Sequence, residues 1–442
     1  MRRFLLPLGL AALCINSIFA QAADTNGASY AKATGASYEG AATRPAEPSG
    51  PLTLKSAWAL ALGANPELSA AGHEVAALEA TILQAETRPN PEISASIEDT
   101  RRATRISKLE VSQAFELGGK RAARINAAER GRDAANAELD AKRAEIRAAV
   151  VAAFFDVVVA QERLRLATAS VELAQRATGA ASRRVTSGKV SPVEETKARV
   201  AEASVRLELA LATSELTTAR RRLTATWGNP VPRFERAEGD LEALPPLPAL
   251  ADLQTRLATS PNLLRAQIEV DRRQALAGVE RSRRTPNVTF SLGAQRDEQL
   301  GLNQALFGVA IPIPIFDRNQ GNLLEALRRT DKARDELSAA EIRLSNELAL
   351  AYARLATARE ETATLQRDIL PGAQSAYDAA TKGFELGKFS FLEALDAQRT
   401  LFQAKAQYLR ALAEAHRAAA EIERILGEAS ANTNIAPAPT QP

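Results

Sequence analysis

LEVSQAFELGGKR, residues 109–121, holds the transition that decides the fold. Its first part alternates, with Leu109, Val111, Phe115 and Leu117 set against Lys108, Glu110, Ser112 and Glu116, the period of a strand with one apolar and one polar face. Gly118-Gly119 breaks that pattern. From there to about Ser187 the apolar residues recur at helical spacing without a stop, which predicts a rod of roughly 100 Å at about 1.5 Å per residue. No globular core needs so long a helix. Its apolar side is mostly Ala, with larger residues at intervals such as Leu139/Ile146 and Leu164/Val171, a surface suited to close coiled-coil packing.

Upstream, a helix of about 22 residues is expected from Pro66, with Asn65 as N-cap and proline at the first helical position, ending before Pro89 and Pro91. A second strand follows, with Ile93, Ala95 and Ile97 on one face. Downstream, the rod ends in the turn 186–191, and a helix of about 35 residues runs back from Pro192 to Thr226. The short helix and the returning one together match the length of one rod, so both fit alongside it end to end.

The same unit is then written again. Asn65-Pro66-Glu67-Leu68 returns as Ser260-Pro261-Asn262-Leu263, 195 positions on; Val111 and Leu117 map onto Val309 and Ile315 at 198; Gly188-Lys189 and Ser191 map onto Gly387-Lys388 and Ser390 at 199. A period near 200 is too long for a solenoid and marks a duplicated domain. The second copy predicts strands at Val288, Phe290 and Leu292 and at Phe307, Val309 and Ile311, leaving the sheet near Pro312 and Pro314, which cannot donate to a ladder. It also predicts a rod from Gly321 to about Leu386, kinked at Pro371, and a return helix from Phe391 to Leu426.

Six segments are expected: a signal peptide at 1–22, a disordered leader at 23–51, repeats at 52–228 and 250–427, a proline-rich linker at 229–249 and a disordered tail at 428–442. Cys14 is the one cysteine, and Leu13 before it, where a lipidation site wants a small residue, argues against a lipid anchor. Without Arg2 and Arg3 the chain has 54 basic and 53 acidic residues, a net charge of +1 that argues against nucleic acid as partner. Cleavage after Ala22 leaves no Cys or Met, and His73 and His416, each read as a helix surface residue, make no metal site. No nucleotide-binding loop or catalytic set appears, so the chain reads as non-enzymatic and free of cofactors.

Four strands per chain cannot close a barrel, and open edges with apolar faces demand pairing, above all in hydrocarbon. The chain is therefore expected to assemble: two copies would give eight strands, three would give twelve and leave a lumen.

Short strand pairs feeding long antiparallel helices, written twice, resemble the TolC-like outer-membrane efflux proteins over about 52–427. PNPEISASIE (89–98), LEVSQAFELGGKR (109–121), IPIPIFDRNQG (311–321) and FELGKFSFLEALDAQR (384–399) resemble the CzcC-type branch, which accompanies heavy-metal efflux pumps. The resemblance implies a mainly α fold with a small β part. It implies a homotrimer whose twelve-stranded barrel sits in outer-membrane lipid and continues as a helical tunnel in the periplasm. A periplasmic adaptor and an inner-membrane pump of the resistance-nodulation-division class are the implied partners, and divalent cobalt, zinc or cadmium the implied cargo. Organic compounds or secreted polypeptide remain open as cargo, and a soluble periplasmic coiled-coil scaffold remains open as another class of function.

By the same resemblance the turns carrying Gly188, Lys189 and Ser191 and Gly387, Lys388 and Ser390 form the tip that docks the adaptor. Local chemistry also explains them, since glycine ends a helix and Ser191/Glu194 and Ser390/Glu393 match capping boxes. Family members carry acidic rings just past the second turn, where this chain has Glu393 and Asp396. Three residues apart, they share a helix face. Glu393 doubles as a capping residue and Asp396 does not; its counterpart in the first repeat is Lys197.

Overall fold

The computed structural model describes residues 47–427 apart from Gly387, and in that span all side chains but those of Glu385, Phe391 and Leu392. The expected signal peptide, the leader before Glu47, the tail and Gly387 lie outside the described residues.

Each repeat opens with a helix the sequence reading did not separate. Here α1 (Leu54–Ala64) starts in a capping box between Thr53 and Ser56, and α5 (Leu250–Leu257) is its counterpart. Next, α2 (Pro66–Glu86) begins where predicted: the Asn65 side chain accepts from the Leu68 N–H at 2.9 Å, and Pro66 stands at a position whose N–H needs no partner. In the second repeat α6 (Pro261–Ser282) starts the same way on Ser260.

Period two then produces strands β2 (Glu92–Glu98), β3 (Ile106–Phe115), β5 (Val288–Asp297) and β6 (Leu302–Ala310), joined antiparallel in the order β2-β3-β5-β6. Facing residues share a side, so Ile93, Val111, Leu292 and Phe307 make one apolar row, while Ser96, Lys108, Gln295 and Gln304 make a polar row on the other face. The apolar row is exposed. Strand β6 leaves the ladder at Ala310, two residues before Pro312, as its missing donor requires.

From β3 the chain passes through Gly118 and Gly119, both with positive φ, into α3 (Lys120–Thr186), an unbroken rod of 67 residues. Buried Ala137, Ala141, Ala148, Ala160, Ala174 and Ala181 let neighbouring helices lie close along it. It returns as α4 (Pro192–Ala225). Rod α3 packs on α2 and α4 of its own repeat and on α6 and α9 (Phe391–Leu426) of the other, so it lies between the two halves. The second rod is not continuous: α7 (Gln320–Thr364) passes through one π turn, Leu365–Ile369, into α8 (Leu370–Glu385). Pro371 explains the break. Its ring would press on the Arg367 carbonyl four residues back, and the wider turn, closed by Leu370 N–H on the Leu365 carbonyl, relieves that clash. No described helix is long and apolar enough to cross a membrane.

The linker is a strap, which its proline content did not reveal. Two-residue strands β1 (Leu52–Thr53) and β4 (Ala237–Glu238) pair in parallel, so the described residues hold six strands and not the expected four, four of them in the large sheet. Four helices each donate one side-chain hydrogen bond to a strap carbonyl: Arg220 to Glu235, Gln161 to Ala237, His416 to Leu241 and Arg359 to Pro245. Gly239 lets the strap approach, since a Cβ there would stand 2.7 Å from the Phe154 ring. Glu47, placed in the leader by sequence, accepts from the Arg233 and Phe234 N–H groups at 2.6 and 3.1 Å and holds the strap from the other side. The larger core forms beneath it around Phe154, which is 0% exposed. A second core joins α5, α7 and α9.

His416 is not the surface residue expected. It is 6% exposed, stacked on Phe155 with ring centres 3.6 Å apart and bonded through Nε2 to the Leu241 carbonyl at 3.0 Å. Burial lowers its pKa from the ordinary 6.5, against the weaker upward pull of the Leu241 carbonyl and Asp240. The unfolded chain therefore binds this proton first, and the stability His416 contributes is full above about pH 6.5 and lost as pH falls below it. Thermal unfolding should show a stability slope in that window, and His416→Phe should flatten it.

Candidate functional site: the hairpin tips

The two hairpins end in turns built by the same local rule. After α3, Gly188 takes the left-handed conformation at φ +69, with its N–H on the Val185 carbonyl at 2.9 Å and the Lys189 N–H on the Arg184 carbonyl at 2.9 Å. This pair of bonds satisfies carbonyls that the helix end leaves open. After α8 the equivalent outer bond runs from Lys388 N–H to the Gly383 carbonyl at 2.8 Å. Lys189, Ser191, Lys388 and Ser390 are all exposed.

The helix starts differ. Ser390 forms the expected box: its hydroxyl accepts from the Glu393 N–H, and the Glu393 carboxylate accepts from the Ser390 N–H at 2.6 Å. Ser191 does not. With Pro192 at the first helical position, its hydroxyl accepts from Val193 at 3.3 Å, and Glu194 makes no return bond, which corrects the expectation of two matching boxes.

Glu393 and Asp396 are both exposed on one face of α9, and that stripe continues through Gln403, Gln407 and Arg410. The Glu393 carboxylate is engaged in the cap, whereas that of Asp396 has no ion pair or hydrogen bond among the described residues. Position 197, its counterpart, carries an exposed lysine.

The tips touch each other through residues that sequence reasoning did not single out. Phe384 and Leu395 pack on Ala181 and Ala198 of the first repeat, and the Arg184 guanidinium lies 5.2 Å from the Phe384 ring centre. Gly383 is buried because Phe389 lies over it: a Cβ there would stand 2.1 Å from the ring. A groove higher up, between α2, α3, α6 and α7, was also missed. Glu74, Glu138, Glu269 and Glu336 line it. The available signal was positional, since Glu269 repeats Glu74 at 195 and Glu336 repeats Glu138 at 198. Arg265 pairs with Glu138 at 2.7 Å and Arg273 with Glu269 at 2.6 Å, while Glu74 has no partner among the described residues. Nowhere among the described residues do three His, Cys, Asp or Glu side chains converge as a metal site.

The Outer membrane efflux protein family matches residues 58–229 and again 253–428. This chain belongs to that family. Its place is the cell outer membrane, where it serves as an efflux duct. It is 51% identical over 427 residues to the cobalt-zinc-cadmium resistance protein CzcC of Cupriavidus metallidurans, spanning 97% of this chain and 100% of that protein. The nickel and cobalt resistance protein CnrC of the same organism is 29% identical, over 70% of this chain and 73% of its own length. The chain is thus a CzcC-type member. Among solved structures, CusC superposes with a TM-score of 0.73 at 21% identity, covering 85% of this chain and 92% of that one. The open state of the Neisseria gonorrhoeae MtrE channel gives 0.72 at 20%, covering 85% and 88%. At such identities these likenesses speak for the fold alone.

The unequal caps carry a prediction. Ser390→Ala should reduce stability at the start of α9 by about 1 kcal/mol, and Ser191→Ala at the start of α4 by less, because only the first breaks a reciprocal pair. Hydrogen-exchange protection of the two first turns reads the difference; equal losses would contradict it.

Proposed function

We propose that this chain is the exit duct of a tripartite pump for divalent heavy-metal cations. Three copies close the sheet into a twelve-stranded barrel, and their helices form the periplasmic tunnel. A periplasmic adaptor docks on the tips around Gly188, Lys189, Ser191, Gly387, Lys388 and Ser390, and an inner-membrane pump of the resistance-nodulation-division class drives the cargo. The observation that carries the cargo is the 51% identity over the whole length of a cobalt-zinc-cadmium resistance protein. The absence of a converging ligand set among the described residues suits the role, since a tight site would hold the ion that must pass.

The open sheet supports assembly of this kind. Its edges β2 and β6 have no partner among the described residues. The repeat itself supplies the missing register: β3 meets β5 with Phe115 opposite Val288 and Val111 opposite Leu292. Shifted by 198 for the first strand and 195 for the second, that pattern would pair Val309 with the neighbour's Ile97, both inside their strands. The exposed Asp396 carboxylates then gather at the narrow end and favour cations.

Three tests follow. Oxidation of a variant with Val309→Cys and Ile97→Cys should yield covalently linked copies in outer membranes. Moving the second cysteine to Ile93, about 13 Å along the strand, should abolish the link, and the reverse result would refute this register. Deleting the gene should sensitise cells to cobalt, zinc or cadmium; sensitivity only to organic compounds would reassign the cargo. In planar bilayers Asp396→Ala should lower the preference for cations over anions, and an unchanged ratio would remove Asp396 from the gate.

A further inference from the structure

Where β6 leaves the ladder, the chain stays apolar without being covered. Ile313 is 78% and Phe316 90% exposed, with Ile311 and Ile315 also exposed. These residues continue the outward apolar face of the sheet toward the periplasm. Pro312 and Pro314 carry no N–H, and Ile315 N–H bonds the Ile313 carbonyl at 2.9 Å, so this stretch leaves few backbone donors for hydrocarbon to strand. Directly below come guanidinium groups. Arg281 and Arg284, at the end of α6, and Arg318, after Phe316, are exposed and make no ion pair among the described residues, whereas neighbouring Arg283 is held by Glu280 at 2.7 Å.

The two segments are tied together. Asn319 donates to the Glu280 carbonyl at 2.9 Å and to its carboxylate at 2.7 Å, fixing the 316–319 loop to the last turn of α6. Lys120 of the first repeat bonds Asn287 in the same region. Burial lowers its pKa most; Glu116 pulls it up, and Arg124 and Arg283 each push it down by less. The three arginines are not repeated: the positions matching Arg281, Arg284 and Arg318 are Glu86, Pro89 and the tied Lys120.

We propose that this rim binds anionic phospholipid of the leaflet facing the periplasm, with Arg281, Arg284 and Arg318 at the phosphates and Ile315 and Phe316 in the acyl layer above them. The partner is chosen by charge complementarity and by continuity with the lipid-facing side of the barrel. The inference rests on the barrel reading above. Each trimer would carry three such patches, one below each β6.

The test uses the full mature chain in vesicles of phosphatidylethanolamine with a minority of phosphatidylglycerol, containing a spin-labelled trace of either lipid. Electron spin resonance then measures which lipid occupies the motionally restricted layer around the protein. Wild type should enrich phosphatidylglycerol. The triple variant Arg281→Gln, Arg284→Gln, Arg318→Gln should lose about fivefold or more of that preference, and the triple Lys variant should keep most of it, since the attraction is electrostatic. Equal occupancy by both lipids in wild type, or full preference in the Gln variant, overturns the proposal; the wild-type arm decides even if the Gln variant fails to insert. Vesicle flotation with a heat-sensitive trimer separates the layers of argument. A wild-type trimer that floats without lipid preference sinks this inference alone, and a protein that does not insert sinks the barrel reading with it.

Discussion

Unpaired backbone groups on the two edges of a four-stranded sheet are the constraint from which the rest of this molecule follows. Strands β2 and β6 each present a row of N–H and C=O groups, and the outward face between them is lined by Ile93, Val111, Leu292 and Phe307. In water such a face invites aggregation, and in hydrocarbon each orphaned polar group is costly by several kcal/mol. Pairing with further copies resolves both problems. Because each repeat supplies one strand pair and one helical hairpin, closing the sheet also arranges the hairpins side by side beneath it.

The duplication supplies the frame, and its departures carry the specialisation. Rod α3 is unbroken, while its counterpart passes through a π turn before Pro371 where the first repeat has Glu172. One tip starts its return helix with a reciprocal Ser390–Glu393 cap, the other with Ser191 alone. A lysine at 197 corresponds to an aspartate at 396, and Gly118-Gly119 stands where the second repeat has the exposed Phe316 followed by Asp317. Across the middle, one strap contacts four helices through Arg220, Gln161, His416 and Arg359, so the halves are held in a set order although their ends diverge.

Elements with a strong period or a specific cap were legible in the sequence. The four strands of the large sheet, the start of α2 at Pro66, the length of α3 and the span of α9 all follow from alternation, proline placement and uninterrupted helical spacing. What escaped depends on contacts distant in the chain. Nothing near Glu47 announces that its carboxylate meets Arg233 and Phe234 N–H groups, and nothing near His416 announces Leu241 and Phe155. Helices α1 and α5 are short and precede a stronger signal, and β1 and β4 are two residues each, below any readable period. At the tips the sequence reading named the exposed residues, but the contacts of Phe384 and Phe389 that lock the turns required the fold.

The central claim is that one chain is an incomplete barrel and three complete it. The mass of the protein complex extracted intact from outer membranes, measured by native mass spectrometry after detergent removal, tests this most directly. The account predicts three copies of the mature chain, falling to one only on heating in denaturing detergent. A stable monomer or dimer from the membrane would contradict it.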